Sequence, residues 1–149
     1  MDISARIQIL AGIRTGAVYY FIEDSFPSSE PHYFVVLNKN PRTDELLILV
    51  CASSQVDKRI EIAKKLGFPT ETLVIISPSE FSLFKKQTVI DCNRALEKTS
   101  RSLIEKLEQG KLKICTELMP VSIVEKLILG VLASSQVSEK VQRILSNYN

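Results

Sequence analysis

Apolar residues in this chain gather in short runs through its first two thirds and recur at helical spacing towards its end. Residues 16–22 (GAVYYFI) are rich in β-branched and aromatic side chains and predict a strand. Residues 23–31 (EDSFPSSEP), with two prolines among Ser, Asp and Glu, predict a loop. A second strand is expected over 33–37 (YFVVL), and a turn with Asn-Pro at its centre over 38–44 (NKNPRTD). Residues 45–52 (ELLILVCA) predict a third strand, buried on both faces because its apolar run is continuous. Val56, Ile60 and Ala63 have helical spacing over 56–66, with Ser54 placed to cap the start and Gly67 and Pro69 to end it. Two more strands are expected at 72–77 (TLVIIS) and 88–92 (TVIDC), separated over 78–84 by a turn or a single helical turn.

The remainder reads as mainly helical. Ser100 and Ser102 are candidate N-caps, and Ser102 with Glu105 has capping-box spacing. Gly110 stands where a helix-ending glycine belongs, and 111–116 fits a short edge strand. Pro120 suits a first helical turn. Ile123, Leu127 and Val131 then form an apolar stripe, and 138–146 predicts a last helix with Val141 and Leu145 on one face. Strands precede most of the helix without regular alternation. The expected fold class is therefore α+β: a small curved antiparallel sheet or open barrel with C-terminal helices packed on it. No linker or repeat divides residues 1–149, so they read as one domain, with 114–149 a helical C-terminal extension.

Composition narrows the setting. A chain of 149 residues with 45% apolar and 24% charged residues is long enough to bury a core without a metal or disulfides. The densest apolar stretches, 46–52, 73–76 and 127–133, fall far short of the roughly 20 residues that cross a bilayer. The N-terminus lacks the pattern of a signal peptide, so a soluble, cytoplasmic protein is expected. Cys51, Cys92 and Cys115 are odd in number, unpaired in spacing and set in apolar runs, which predicts buried free thiols. With a single histidine and no paired cysteines, no metal and no cofactor is expected.

Glycine-rich phosphate loops and nucleophile elbows are absent. Residues 85–113 carry eight basic and four acidic residues, net +4, which reads either as a solvated helix face or as a phosphate-attracting patch. His32 sits where the long loop meets the second strand, as an exposed loop-end residue or as a general acid/base. Ser53 and Ser54 follow the buried strand, as helix caps or as phosphate ligands. Asp91 at a strand end fits a hydrogen bond to nearby backbone.

Three segments in order, GAVYYFIEDSFPSSEPHYFVVLN (16–38), LLILVCASSQ (46–55) and QTVIDCNRALE (87–97), resemble the PemK/MazF family of toxin–antitoxin ribonucleases. The resemblance covers roughly residues 16–112 and rests on order and spacing. It implies an SH3-like barrel and metal-free cleavage of single-stranded RNA, with an antitoxin partner and a homodimer. It places Ser53 and Ser54 at the family's hydroxyl pair, and Asp91 and Arg94 in its third element. Pro31, His32 and Tyr33 stand where the family carries its catalytic arginine. The expected roles are His32 for proton transfer, Ser53 for a phosphate hydrogen bond, Ser54 beside it, and Arg42 or Arg94 as the phosphate-stabilising cation. The alternative is a non-catalytic SH3-like barrel that binds a protein or nucleic-acid partner.

Overall fold

The longest apolar run of the N-terminal half, residues 46–52, forms the middle of the fold. The structure is a computed structural model and describes residues 3–146. In chain order its elements are α1 (Ala5–Gly12), β1 (Val18–Phe21), β2 (His32–Val36), β3 (Leu47–Ser53), α2 (Val56–Leu66), β4 (Leu73–Ile76), β5 (Thr88–Asp91), β6 (Leu96–Lys98), α3 (Ser100–Glu108), β7 (Leu112–Ile114), α4 (Val121–Ala133) and α5 (Glu139–Ser146). Short 3-10 turns occupy Thr70–Thr72 and Cys92–Arg94. The seven strands make one open antiparallel sheet in the order β4-β5-β3-β2-β1-β7, with β6 also paired to β3. Leu47, Ile48, Leu49 and Val50 are each at most 1% exposed, as a strand covered on both faces requires.

Side chains alternate across the sheet, so each strand feeds two cores. On one face Val18, Val35, Ile48 and Val50 pack with Leu127 and Val131 of α4 and Leu145 of α5. On the other, Tyr19, Phe34, Leu47 and Leu49 pack with Ile9 of α1 and Leu103 of α3. The C-terminal helices thus lie against the sheet, as expected for the α+β class. The last residues of the expected extension, 147–149, lie outside the described residues.

One edge of β3 carries two partners in succession. Ala52 and Ser53 face Ile90 and Val89 of β5, whereas Leu49 to Leu47 face Leu96 to Lys98 of β6. Three steps on β3 separate Ala52 from Leu49, while six steps separate their partners Ile90 and Leu96. Three residues are therefore looped out of the ladder, at the 3-10 turn Cys92–Arg94. Such an insertion interrupts a strand and redirects its side chains.

Several local expectations need correction. β6 lies in a segment expected to be helical; Ala95, Leu96, Glu97 and Lys98 favour helix locally, but the free edge of β3 supplies backbone partners. Helix α1 carries no expectation from the pattern; Ser4 caps it by accepting from the Ile7 amide. Thr99, not Ser100 or Ser102, caps α3. Gln55, not Ser54, is the N-cap residue of α2, and it makes no side-chain cap bond. Of the cysteines, which are all free, only Cys92 is buried; Cys51 and Cys115 are partly exposed. The turn after β2 is held by Asn38, whose amide oxygen accepts from Ile48 N at 2.6 Å and whose Nδ2 donates to Asp44 and to the Leu46 carbonyl.

Gly130 marks the closest approach of α4 to the sheet. A Cβ there would sit 2.7 Å from Cys92 Sγ and 2.8 Å from the Glu71 carbonyl oxygen. Gly12 at the end of α1 has open space around it. Glycine-to-alanine changes should therefore have opposite signs at these sites. Gly12→Ala should stabilise by up to about 1 kcal/mol through chain entropy. Gly130→Ala should destabilise by about 1–3 kcal/mol through overpacking. Urea denaturation of both variants checks the signs.

Candidate functional site

Antiparallel pairing brings the start of β2 to the end of β3. The register runs Val36 opposite Leu49, Val35 opposite Val50 and Phe34 opposite Cys51. Beyond that pairing, His32 starts β2 and Ser53 ends β3. Both line a cavity of about 520 Å³, together with Ser54, Lys58 and Arg59 at the start of α2, and Asp91 and Arg94 at the interrupted strand. The size suits a small ligand or a nucleotide unit. Five cations (Lys58, Arg59, Lys85, Lys86, Arg94) and two carboxylates (Glu30, Asp91) face this cleft.

Two of these cations are guanidinium groups, Arg59 and Arg94. Burial, and then the positive charge of Arg94, push the pKa of Arg59 below its ordinary value, against the opposing pull of Asp91 and Cys51. Arg59 Nε is buried without a hydrogen-bond partner among the described residues. Asp91 is already committed on one oxygen, because its Oδ1 accepts from both Asn93 N (3.0 Å) and Asn93 Nδ2 (2.8 Å). Arg94 lies over the Phe26 ring, 4.7 Å from its centroid.

The loop between β1 and β2 is folded back over this end of the sheet. Its base is fixed by Glu23, which is 4% exposed and lies 2.6 Å from Lys98 Nζ of β6. Ser25 donates a second bond to the same carboxylate. Burial alone would raise the Glu23 pKa, but the bonds from Lys98 and Ser25 and the Lys98 charge outweigh it, so the carboxyl is held below its ordinary value. Lys106 of α3 donates to the Ile22 carbonyl and pairs with Asp24. Phe26 then packs on Phe34 and meets His32 edge-on at 6.1 Å. His32 Nδ1 is buried without a hydrogen-bond partner among the described residues. The Ser53 hydroxyl accepts from the Gln55 amide at 3.1 Å, so it shapes the turn into α2.

Of the residues expected from sequence, His32, Ser53, Ser54 and Arg94 meet in the cleft and Arg42 does not. Arg42 follows β2, at the opposite end of the sheet, and donates to the Ala11 and Ile13 carbonyls that end α1. The basic segment is also divided. Lys85, Lys86 and Arg94 reach the cleft, Lys98 and Lys106 hold the loop, and Arg101 pairs with Glu105 on the surface of α3. Arg59 and Lys58 were not expected; the clue is that they open the helix that Ser53 and Ser54 lead into. Cys51 also lines the cleft, but burial pushes its thiol pKa up to about 12, so it stays neutral near pH 7. Among the described residues, no group of three or more His, Cys, Asp or Glu is placed to hold a metal ion. None of their helices is long and apolar enough to cross a membrane. No protein-family profile matches the chain, and no curated protein matches it.

The Glu23 anchor has a pH signature. Its pKa is depressed on folding, so its stabilisation is present above the unfolded carboxylate range, near pH 4.3, and is lost as pH falls through the lower folded value. Glu23→Gln should lower stability at pH 7 and flatten the fall in stability below about pH 4.5. Denaturant midpoints at pH 7 and pH 3.5 check this; an unchanged acid slope would remove Glu23 from the linkage.

Proposed function

We propose that this chain is a metal-free ribonuclease that binds single-stranded RNA in the cleft and cuts one phosphodiester there. The observation that carries the reading is the pair Arg59 and Arg94. Both line the cleft and their like charges act on each other; Arg59 Nε is buried without a hydrogen-bond partner among the described residues, and Asp91 lies near enough to Arg59 to offset part of that repulsion. Such an arrangement is costly unless an anion completes it, and a phosphate is the anion whose geometry suits paired guanidinium groups. The arginines occupy the electrostatic role that the family's arginine fills, from α2 and the interrupted strand instead of from the start of β2.

The chemistry follows from the groups present. A ribose 2′-oxygen attacks the adjacent phosphorus, losing its proton, while the 5′-oxygen leaves and gains one. His32, the imidazole in the cleft lining, moves a proton in this step. Ser53 or Ser54 donates a hydrogen bond to a phosphate oxygen, and Arg59 and Arg94 balance the charge that builds on the phosphorane. The products are a 2′,3′-cyclic phosphate and a 5′-hydroxyl. The toxin role and an antitoxin partner rest on the resemblance in the order of elements, as does a homodimer. A second reading, a non-catalytic binder of RNA or protein, is favoured by one feature: among the described residues His32 Nδ1 has no orienting partner of the kind acid–base histidines usually have.

Purified protein should cleave mixed-sequence single-stranded RNA in the presence of a chelator, and expression should arrest growth. His32→Ala should slow cleavage about 100-fold or more. Arg59→Ala and Arg94→Ala should each cost about 100-fold, as loss of a phosphorane donor does. A 2′-deoxy nucleotide at the cut site should bind without being cut. Bound but intact RNA, with affinity falling as salt rises, would replace the ribonuclease by the binder. RNA that neither binds nor is cut would overturn both nucleic-acid readings.

A further inference from the structure

The looped-out turn Cys92–Arg94 is held from behind by the C-terminal helices. Asn93, within that turn, is 8% exposed and spends every polar atom of its side chain. Its Nδ2 donates to Asp91 Oδ1 at 2.8 Å and to Thr72 Oγ1 at 2.9 Å. Its Oδ1 accepts from the hydroxyl of Ser134, the residue that ends α4, at 2.7 Å. Ser134 is 2% exposed, and its own carbonyl accepts from Gln142 of α5 at 3.0 Å. The chain of bonds runs without a gap from α5 through Ser134 and Asn93 to Asp91, a side chain of the cleft. Gly130 lets α4 close onto Cys92 in the same turn.

We propose that the helical C-terminal extension is a working part of the cleft: Ser134 and Asn93 are positioning residues that fix the looped-out turn, and so set where Asp91 and Arg94 stand. The physical reason lies in the turn itself. Three residues excluded from a ladder lose the backbone partners that hold a strand in place. A buried side-chain network whose members are all bonded supplies that order instead, because each alternative geometry leaves a buried polar atom unpaired. Arg94 directly follows Asn93, so the direction in which its side chain leaves the turn depends on this network. The extension is thus coupled to the cleft by hydrogen bonds and not only by apolar packing. The functional consequence rests on the ribonuclease reading, but the positioning itself does not.

Ser134→Ala in the full chain removes the hydroxyl and leaves Asn93 Oδ1 unpaired. Ser134→Thr keeps the hydroxyl and serves as the rescue. The Arg94 side-chain resonances provide a readout independent of RNA, because the Phe26 ring beneath the guanidinium shifts them by ring current. Ser134→Ala should move those resonances towards random-coil values and weaken binding of a short single-stranded RNA by about tenfold, as a displaced charged contact does. Ser134→Thr should restore both. In an Arg94→Ala background, Ser134→Ala should have little further effect on RNA affinity. If Ser134→Ala does not fold, Asn93→Asp keeps the acceptor for Ser134 but removes the donor to Asp91 and Thr72, and should produce the same two changes. Unshifted Arg94 resonances in the folded variants would overturn the proposal. So would an equal loss of affinity with and without Arg94, which is the mark of a merely structural role. If the unaltered protein binds no RNA, the ribonuclease reading fails, and the Arg94 resonances still decide the positioning.

Discussion

The edge of β3 opposite β2 is the constraint on which the rest depends. It is too long for β5 and too long for β6, and the chain solves this by laying both along it with three residues expelled between them. A buried strand whose first four residues are almost fully covered cannot leave its backbone groups unpaired. The pairing is therefore compulsory, and the expelled turn is its consequence. Several charged and aromatic groups of the cleft stand at that turn or beside it: Asp91 just before it, Arg94 at its end, Phe26 beneath Arg94, and Arg59 on the helix that continues from β3.

Strand periodicity and turn residues made most of the sheet legible. The central strand announced itself by a continuous apolar run, and Leu47 to Val50 are buried as that run requires. Helix α2 was legible because both its stripe and its stop signal are local, and Gly67 does adopt a positive φ of 73°. β6 was not, because its strand state comes from the non-local edge of β3 and runs against its own helix-favouring residues. Helix α1 was missed for a related reason. It is short, and its place is set by burial of Ile9 against Leu103 and its neighbours and not by a long stripe.

Legibility of the site divides along the same line. His32 and Ser53 lie at the start of β2 and the end of β3, and both line the cleft. The positions of Arg42 and Arg59 could not be read from the sequence, for complementary reasons. Residue type marks an arginine as a cation but says nothing of its direction: Arg42 turns to the carbonyls of α1, while Arg59 is carried to the cleft by the docking of α2. The network through Asn93 and Ser134 joins residues 41 positions apart and leaves no periodic trace in the sequence. Interactions between distant polar residues of this kind are set by the packed fold and not by local pattern.

Binding at the paired arginines is the point on which the functional reading stands. The most direct measurement is a titration of isotope-labelled protein with a short single-stranded RNA carrying a 2′-deoxy block at its scissile position, followed by NMR at low salt. Saturable shifts should appear at the side chains of Arg59 and Arg94 and at the amides of His32 and Ser53, and should weaken as salt rises. Resonances of Arg42, at the far end of the sheet, should stay unmoved. Silence at Arg59 and Arg94, or shifts confined to the face covered by α1 and α3, would contradict the cleft as the nucleic-acid site.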